Sequence, residues 1–173
     1  MIRIKTLYTR DLSGNDYACQ ASITQEYELN GNQSLTAAIL PSKVNRNFID
    51  DIAEMWSIFD FDDVEHRIVY VKKRGEGATL SVEIKAVPAF FDDFDTLRIY
   101  DEYNEHMTAQ RCFTTIFSDT PYSVVLNGSF DAVEWQGLGG GETRLEMFKR
   151  ALERYKAEFR IVGRSEEHTS ELQ

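Results

Sequence analysis

QEYELNGNQSLTAAIL, residues 25–40, decides how the first part of the chain folds. Its Asn30-Gly31 pair is a strong hairpin signal, because two-residue turns need positive φ and Asn and Gly adopt it at low cost. The flanking segments Gln25–Leu29 and Leu35–Leu40 are read as antiparallel neighbours. Upstream, Ile2, Ile4 and Tyr8 share one parity with Thr6 between them, the period of a half-buried strand. Downstream, Arg67–Lys72 contains the β-rich run IVYV, and Leu80, Val82, Ile84 and Ala86 alternate with Ser81, Glu83 and Lys85. Gly75 and Gly77 supply the turn between these two strands. Between the pairs, Asn45–Phe59 changes period. Phe48 or Ile49, Ile52, Trp56 and Phe59 fall three or four apart with Asn47 as N-cap, which predicts a short helix.

Past Val87-Pro88 the pattern turns helical. Ala109, Cys112 or Phe113, and Ile116 or Phe117 form one face of a helix that Ser118-Asp119-Thr120-Pro121 ends. Tyr122–Leu126 and Phe130–Trp135 read as strands around an Asn127-Gly128 turn. The clearest helix follows: Thr143 and Glu146 have capping-box spacing, Leu145, Phe148, Leu152 and Tyr155 line one face, and Glu146 to Arg150 is a favourable i to i+4 pair. Glu158–Val162 resumes as a strand.

The 173 residues suffice for one ordinary domain or two small ones, and 42% apolar with 12% aromatic residues describes a globular chain. A net charge of -10, with no basic cluster larger than Lys72-Lys73-Arg74, argues against nucleic-acid capture, which needs a basic stripe to displace phosphate counterions. MIRIKTLYTR has no continuous apolar region, so no signal peptide is expected, and the product starts in the cytoplasm. No run reaches the roughly 18 apolar residues of a membrane span. Cys19 and Cys112 are far apart and outside any metal-ligand spacing, and are read as reduced, buried thiols.

Three stretches carry residues that could do chemistry. GLGGGET, Gly137–Thr143, lies between a strand and a helix, but Glu142 occupies the last Gly position of GxGxxG, no GK[ST] follows, and a carboxylate there repels phosphate. It is read as the approach to a capped helix. FDFDDVEHR, Phe59–Arg67, and FFDDFD, Phe90–Asp95, concentrate acids near His66 and His106 without the spacing of a calcium loop or a zinc helix. They are read as solvated acidic loops with aromatic anchors. No GxSxG elbow is present, and with three His residues a triad has few candidates. No catalytic, cofactor-binding or metal residue is assigned.

The order of NGNQSLTAAI, SVEIKAVPAFFDDF, TTIFSDTPYSVVL and FDAVEWQGLGGGETRLEMFKRALERYKAEFRIVG resembles the N-terminal part of the prophage endopeptidase tail family, the tail-associated hub proteins of siphophages and Gram-positive prophages. It covers residues 1–163. Glu28–Ile39, Ala86–Phe94, Phe117–Tyr122 and Leu145–Phe159 carry it. Where the family has a His in its "A.H..fDL" segment, this chain has Pro88 or Ala89. The resemblance implies a structural virion component: a homotrimer at the tail tip, joining tube to baseplate or tip fibre and contacting distal tail and tube proteins. Some members add a C-terminal cell-wall peptidase, which nothing in residues 1–163 matches, so this fragment is expected not to be an enzyme. Alternatives are a peptidoglycan hydrolase or a receptor-binding module of the tail.

RSEEHTSELQ, Arg164–Gln173, is the in-frame translation of AGATCGGAAGAGCACACGTCTGAACTCCAG, the start of a short-read sequencing adapter. Ten matching residues arise by chance on the order of once in 10¹³ trials. These residues are set apart like a fusion scar, which leaves a charge of -8 and a gene read to the end of a DNA fragment. The expected fold is α+β: an antiparallel β-rich, barrel-like domain over 1–87, an incomplete α/β domain over 88–163, and the adapter-derived tail. The first domain is expected to contribute to a ring continuing the tail tube, with an acidic lumen face that passes DNA without holding it, and with edge strands that pair with neighbouring subunits.

Overall fold

Seven strands join in one antiparallel sheet. The structure, a computed structural model, describes residues 2–5, 17–19, 21–28, 33–43, 45–46, 49–54, 57–59, 64–75 and 80–162. The strands are β1 (Ile2–Lys5), β2 (Tyr17–Cys19), β3 (Ala21–Tyr27), β4 (Gln33–Ile39), β5 (Ser57–Phe59), β6 (His66–Arg74) and β7 (Ser81–Pro88). Their order across the sheet is β2-β1-β5-β6-β7-β4-β3. The hairpin read from residues 25–40 is present, with Ala21 opposite Ile39 and Tyr27 opposite Gln33. Its Asn30-Gly31 turn lies outside the described residues. The second predicted pair is β6 against β7, with a bulge between Ile68 and Tyr70.

Alternation places Leu35, Ala37 and Ile39 of β4 and Val82, Ile84 and Ala86 of β7 on one buried face, closed by Ile49, Ile52, Ile58, Ile68 and Leu80. Each such Leu, Ile or Val adds about 1.5–3 kcal/mol by leaving water. The sheet also curls. β2 and β3 stand at opposite ends of the strand order, yet only Gln20 separates them in sequence. Two peptide steps reach no more than about 7 Å, so the two ends of the sheet must come together at that point. The α+β class with an antiparallel sheet is the one expected from the sequence, and no closed barrel is found among the described residues.

The helix expected over 45–59 does not form. Ile49–Asp51 make one 3-10 turn, and Ser57–Phe59 are drawn into the sheet between β1 and β6. Asn45 explains part of this. Its Oδ1 accepts from the Ser42 amide at 2.7 Å and its Nδ2 donates to the Leu40 carbonyl at 2.9 Å, local bonds that compete with a helix start. Phe48 and Trp56 lie outside the described residues.

The described residues divide into two compact units, one of those up to Ala89 with residues 160–162, the other Phe90–Phe159. FFDDFD is not a loop: it forms helix α1 (Ala89–Thr96). Phe90 and Phe94, four apart, are buried beneath the acidic residues, and Asp92 in the first turn suits the helix dipole. Then come β8 (Arg98–Ile99), β9 (Glu102–Tyr103), β10 (His106–Met107), α2 (Ala109–Phe117), β11 (Val133–Glu134), β12 (Leu138–Gly139), β13 (Glu142–Thr143) and α3 (Arg144–Tyr155). The six short strands form three two-stranded ladders, β10 with β11, β9 with β12 and β8 with β13.

Both sequence-predicted helices of this unit are present. Thr108 caps α2, and Thr143 with Glu146 completes the capping box of α3. Arg150, however, pairs with the Glu142 carboxylate rather than with Glu146, whose carboxylate accepts from the Thr143 amide at 2.8 Å. The 122–135 hairpin is absent. Asn127 does not adopt the positive φ that a two-residue turn requires, and Tyr122 is held instead by Asp93, Oη to Oδ2 at 2.6 Å. Residues 122–127 still alternate between half-buried and exposed, an extended segment that no ladder joins to another strand among the described residues. Glu158–Val162 does not form the expected strand. Arg164–Gln173 lie outside the described residues.

Candidate functional site

β3, β4, β7 and β6 are seven to nine residues long and form a regular half-sheet, whereas β2, β1 and β5 have three or four residues. Register fixes the rows across it. Ser22, Ala38, Glu83 and Lys72 form one row, and Thr24, Thr36, Lys85 and Tyr70 the next. Because side chains alternate, these rows face away from the aliphatic core. Along this face stand Lys72, Arg74 and Lys85 together with Glu26 and Glu83.

The two margins of the half-sheet differ. β3 is last in the strand order, so one side of Ala21–Tyr27 carries no ladder among the described residues. β6 pairs with β5 only through His66 and Arg67, and from Ile68 to Arg74 that side carries none among the described residues. Residues 21–28 contain Glu26 and Glu28 and no cation; residues 68–74 contain Lys72, Lys73 and Arg74 and no acid. Glu26 accepts from Ser34 Oγ at 3.3 Å, and Arg74 lies 3.7 Å from Glu83. Lys73 is bound to Asp50 of the 3-10 turn, through the carbonyl and, at 3.7 Å, the carboxylate, so this side of β6 faces residues of the same chain. The bulge leaves the consecutive Val69 and Tyr70 at 39% and 46% exposure, on the β6 margin.

The glycine loop does structural work. The Gly139 amide donates to Glu142 Oε2 at 3.0 Å, Gly140 to the Asp101 carbonyl at 2.9 Å, Gly141 to the Ile99 carbonyl at 2.8 Å, and Gly137 to Asn104 Oδ1 at 2.7 Å. The amides that would cradle a phosphate are donated to protein oxygens, one of them a carboxylate. Gly139 has φ +94°, and a Cβ there would stand 2.1 Å from the Asp101 carbonyl oxygen.

His66 is buried in β6 with Nδ1 2.9 Å from the Val64 carbonyl, while His106 is exposed in β10. No group of three or more metal-ligating side chains occurs among the described residues. Asp60, Asp62 and Asp63 and the side chain of Cys19 lie outside them. Cys112 is buried, and burial pushes its thiol up to about 11, which keeps it protonated and inert. Tyr155, also pushed up by burial, to about 12, donates to the Met107 carbonyl at 3.0 Å and accepts from Trp135 Nε1 at 3.1 Å. Arg144 donates to the Ile116 and Thr115 carbonyls at the end of α2, where positive charge meets the negative helix end. Burial lowers its pKa, opposed by Asp119. These polar groups hold the second unit together.

Residues 5–90 match the family model of the Tal N-terminal tail tube TT1 domain. No curated protein matches. Among solved structures, prophage tail protein gp18 from Listeria monocytogenes EGD-e is similar, with a TM-score of 0.68 at 16% sequence identity over 89% of this chain. The chain covers 45% of that protein's length. The likeness shows a shared fold, and with the domain match it supports a structural role in a phage tail. No helix among the described residues is long and apolar enough to cross a membrane.

Proposed function

We propose that this chain is the N-terminal part of a prophage tail-tip hub of the endopeptidase tail family. Residues 1–87 build a ring that continues the tail tube, and residues 88–163 begin the domain that follows. The observation that carries the reading is the tail tube TT1 match over residues 5–90, which falls on the seven-stranded sheet. The assembly is a homotrimer in contact with distal tail and tube proteins.

Immunogold labelling of virions made by the source strain tests the location. Label at the tail tip supports a hub, label along the whole tube indicates a repeating tube subunit, and virions without label overturn the tail assignment. A cell-wall peptidase, in this reading, belongs to a domain after residue 163. Incubating the present chain with peptidoglycan is accordingly expected to release no muropeptides, and release would favour the hydrolase alternative.

A further inference from the structure

We propose that Asn127 is a site of spontaneous covalent modification, at which the Gly128 amide nitrogen attacks the side-chain amide and converts Asn127 to aspartyl and isoaspartyl residues. The proposal does not depend on the tail reading. Asn127-Gly128 has the residues of a hairpin turn, but no ladder ties it down. Among the described residues, Ser123–Asp131 enter no hydrogen bond and no ion pair. Asn127 and Gly128 are both exposed. A main-chain rotation that brings the Gly128 nitrogen onto Asn127 Cγ therefore breaks no bond. Gly128, at φ +120°, has no Cβ to shield that nitrogen, and an added one would meet nothing nearer than the Phe130 ring at 3.9 Å.

The other described Asn residues are held. Asn45 is buried, with Oδ1 accepting from the Ser42 amide and Nδ2 donating to the Leu40 carbonyl. Asn104 is exposed like Asn127, but its Nδ2 donates to Glu102 Oε1 at 2.8 Å and its Oδ1 accepts from the Gly137 amide at 2.7 Å. Attack on Asn104 would cost both bonds, and the attacking nitrogen would belong to Glu105, which carries a side chain.

The conversion needs no co-reactant except water. The Gly128 nitrogen gives its proton to solvent base and bonds to Asn127 Cγ, the Cγ–Nδ2 bond breaks, and Nδ2 leaves as ammonia. Water then opens the cyclic imide. Attack at Cγ gives aspartate. Attack at the main-chain carbonyl gives isoaspartate, whose main chain runs through Cβ and Cγ and is longer by a carbon. Residues 121–132 otherwise contain a single charged side chain, Asp131, and either product adds a second carboxylate. Chains of different age therefore differ in charge within this segment.

The full chain is aged in heavy-oxygen water at neutral and at mildly alkaline pH, then cleaved with trypsin and mapped by mass spectrometry. Asn127 is the only Asn in the fragment 112–144, and Asn104 the only one in 99–111. The first fragment is expected to gain about 1 Da beyond the heavy-oxygen label, faster at the higher pH, while the second stays unchanged. A free peptide of residues 122–133, aged alongside, gives the rate without a fold. The folded chain is expected to react at no less than about one tenth of that rate, because no local opening has to come first. Slower conversion shows that the fold holds Asn127 and overturns the proposal. Gly128→Ala, with its fold verified by circular dichroism, is expected to slow the conversion by about tenfold or more. An unchanged rate in that variant overturns the Gly128 nitrogen as the attacking group, and the peptide comparison stands whether or not the variant folds.

Discussion

The two units satisfy their backbones in different ways. The sheet unit has an aliphatic core, built from residues such as Leu35, Ile39, Ile68 and Ile84, and long ladders among β3, β4, β7 and β6. In the second unit the core is aromatic: Phe90 lies 4.2 Å from Phe94 between ring centroids, Phe94 lies 4.9 Å from Phe117, and Phe148 lies 5.1 Å from Phe159. Its ladders are only two residues long, and caps, glycine amides and an arginine on a helix end complete them. The difference teaches that cohesion has two sources: long regular ladders over an aliphatic core in one unit, and caps with short local bonds around an aromatic cluster in the other.

Phe94→Ala should break the comparison most forcefully. It removes a fully buried ring from the aromatic cluster, at a cost of about 3–5 kcal/mol. Amide hydrogen exchange is expected to open across Phe90–Phe159 while the β4–β7 ladder keeps its protection. Equal loss in both units would show that they are not separately held. Gly139→Ala comes next, at about 1–3 kcal/mol for the strained backbone, because the added Cβ meets a carbonyl oxygen that cannot retreat without breaking the β9–β12 ladder. Its thermal midpoint should fall with the loss confined to the same unit.

Thr143→Ala removes the α3 cap and should cost about 1 kcal/mol, largely restored by Thr143→Ser. The smallest effect concerns acid. The Thr143 amide, followed by its hydroxyl, holds the Glu146 carboxyl below its ordinary value of 4.5. A depressed carboxyl contributes stability above its unfolded pKa and loses it as pH falls through the folded one. Thermal midpoints measured downward from about pH 5 should therefore drop less steeply in Glu146→Gln than in the wild type. An unchanged slope would remove this carboxylate from the account of how α3 is held.

Much of the fold can be read locally. The β3–β4 and β6–β7 pairs follow from alternation, and α2 and α3 from their spacing and caps, all within a few residues of each other. The failures share a cause. Ser57–Phe59 reads as the end of a helix because Ile52, Trp56 and Phe59 are spaced like one, but β1 and β6, each distant in sequence from one another, claim it as a strand. In FFDDFD the doubled Phe and Asp hide the four-residue spacing of Phe90 and Phe94, which only a packed partner surface reveals. Asn127-Gly128 has the residues of a turn, yet Asp93, 29 positions before Tyr122, decides where that segment lies. The same holds for the candidate site. Glu26 and Lys72-Lys73-Arg74 are plain in the sequence, but that Lys73 reaches Asp50, 23 positions earlier, follows only from how the strands and the 3-10 turn pack.

The one-residue link between β2 and β3 also sets an order of events during synthesis. β1 and β2 can pair early, as can β3 and β4, since each pair is close in sequence. β1 cannot receive β5 until residues 57–59 have emerged, and β4 cannot receive β7 until residues 81–88 have followed. Chains grow at about 5–20 residues per second, so the two early hairpins wait for several seconds, joined at Gln20, each with a future interior side exposed. During that interval β4 shows an apolar edge to every neighbouring nascent chain.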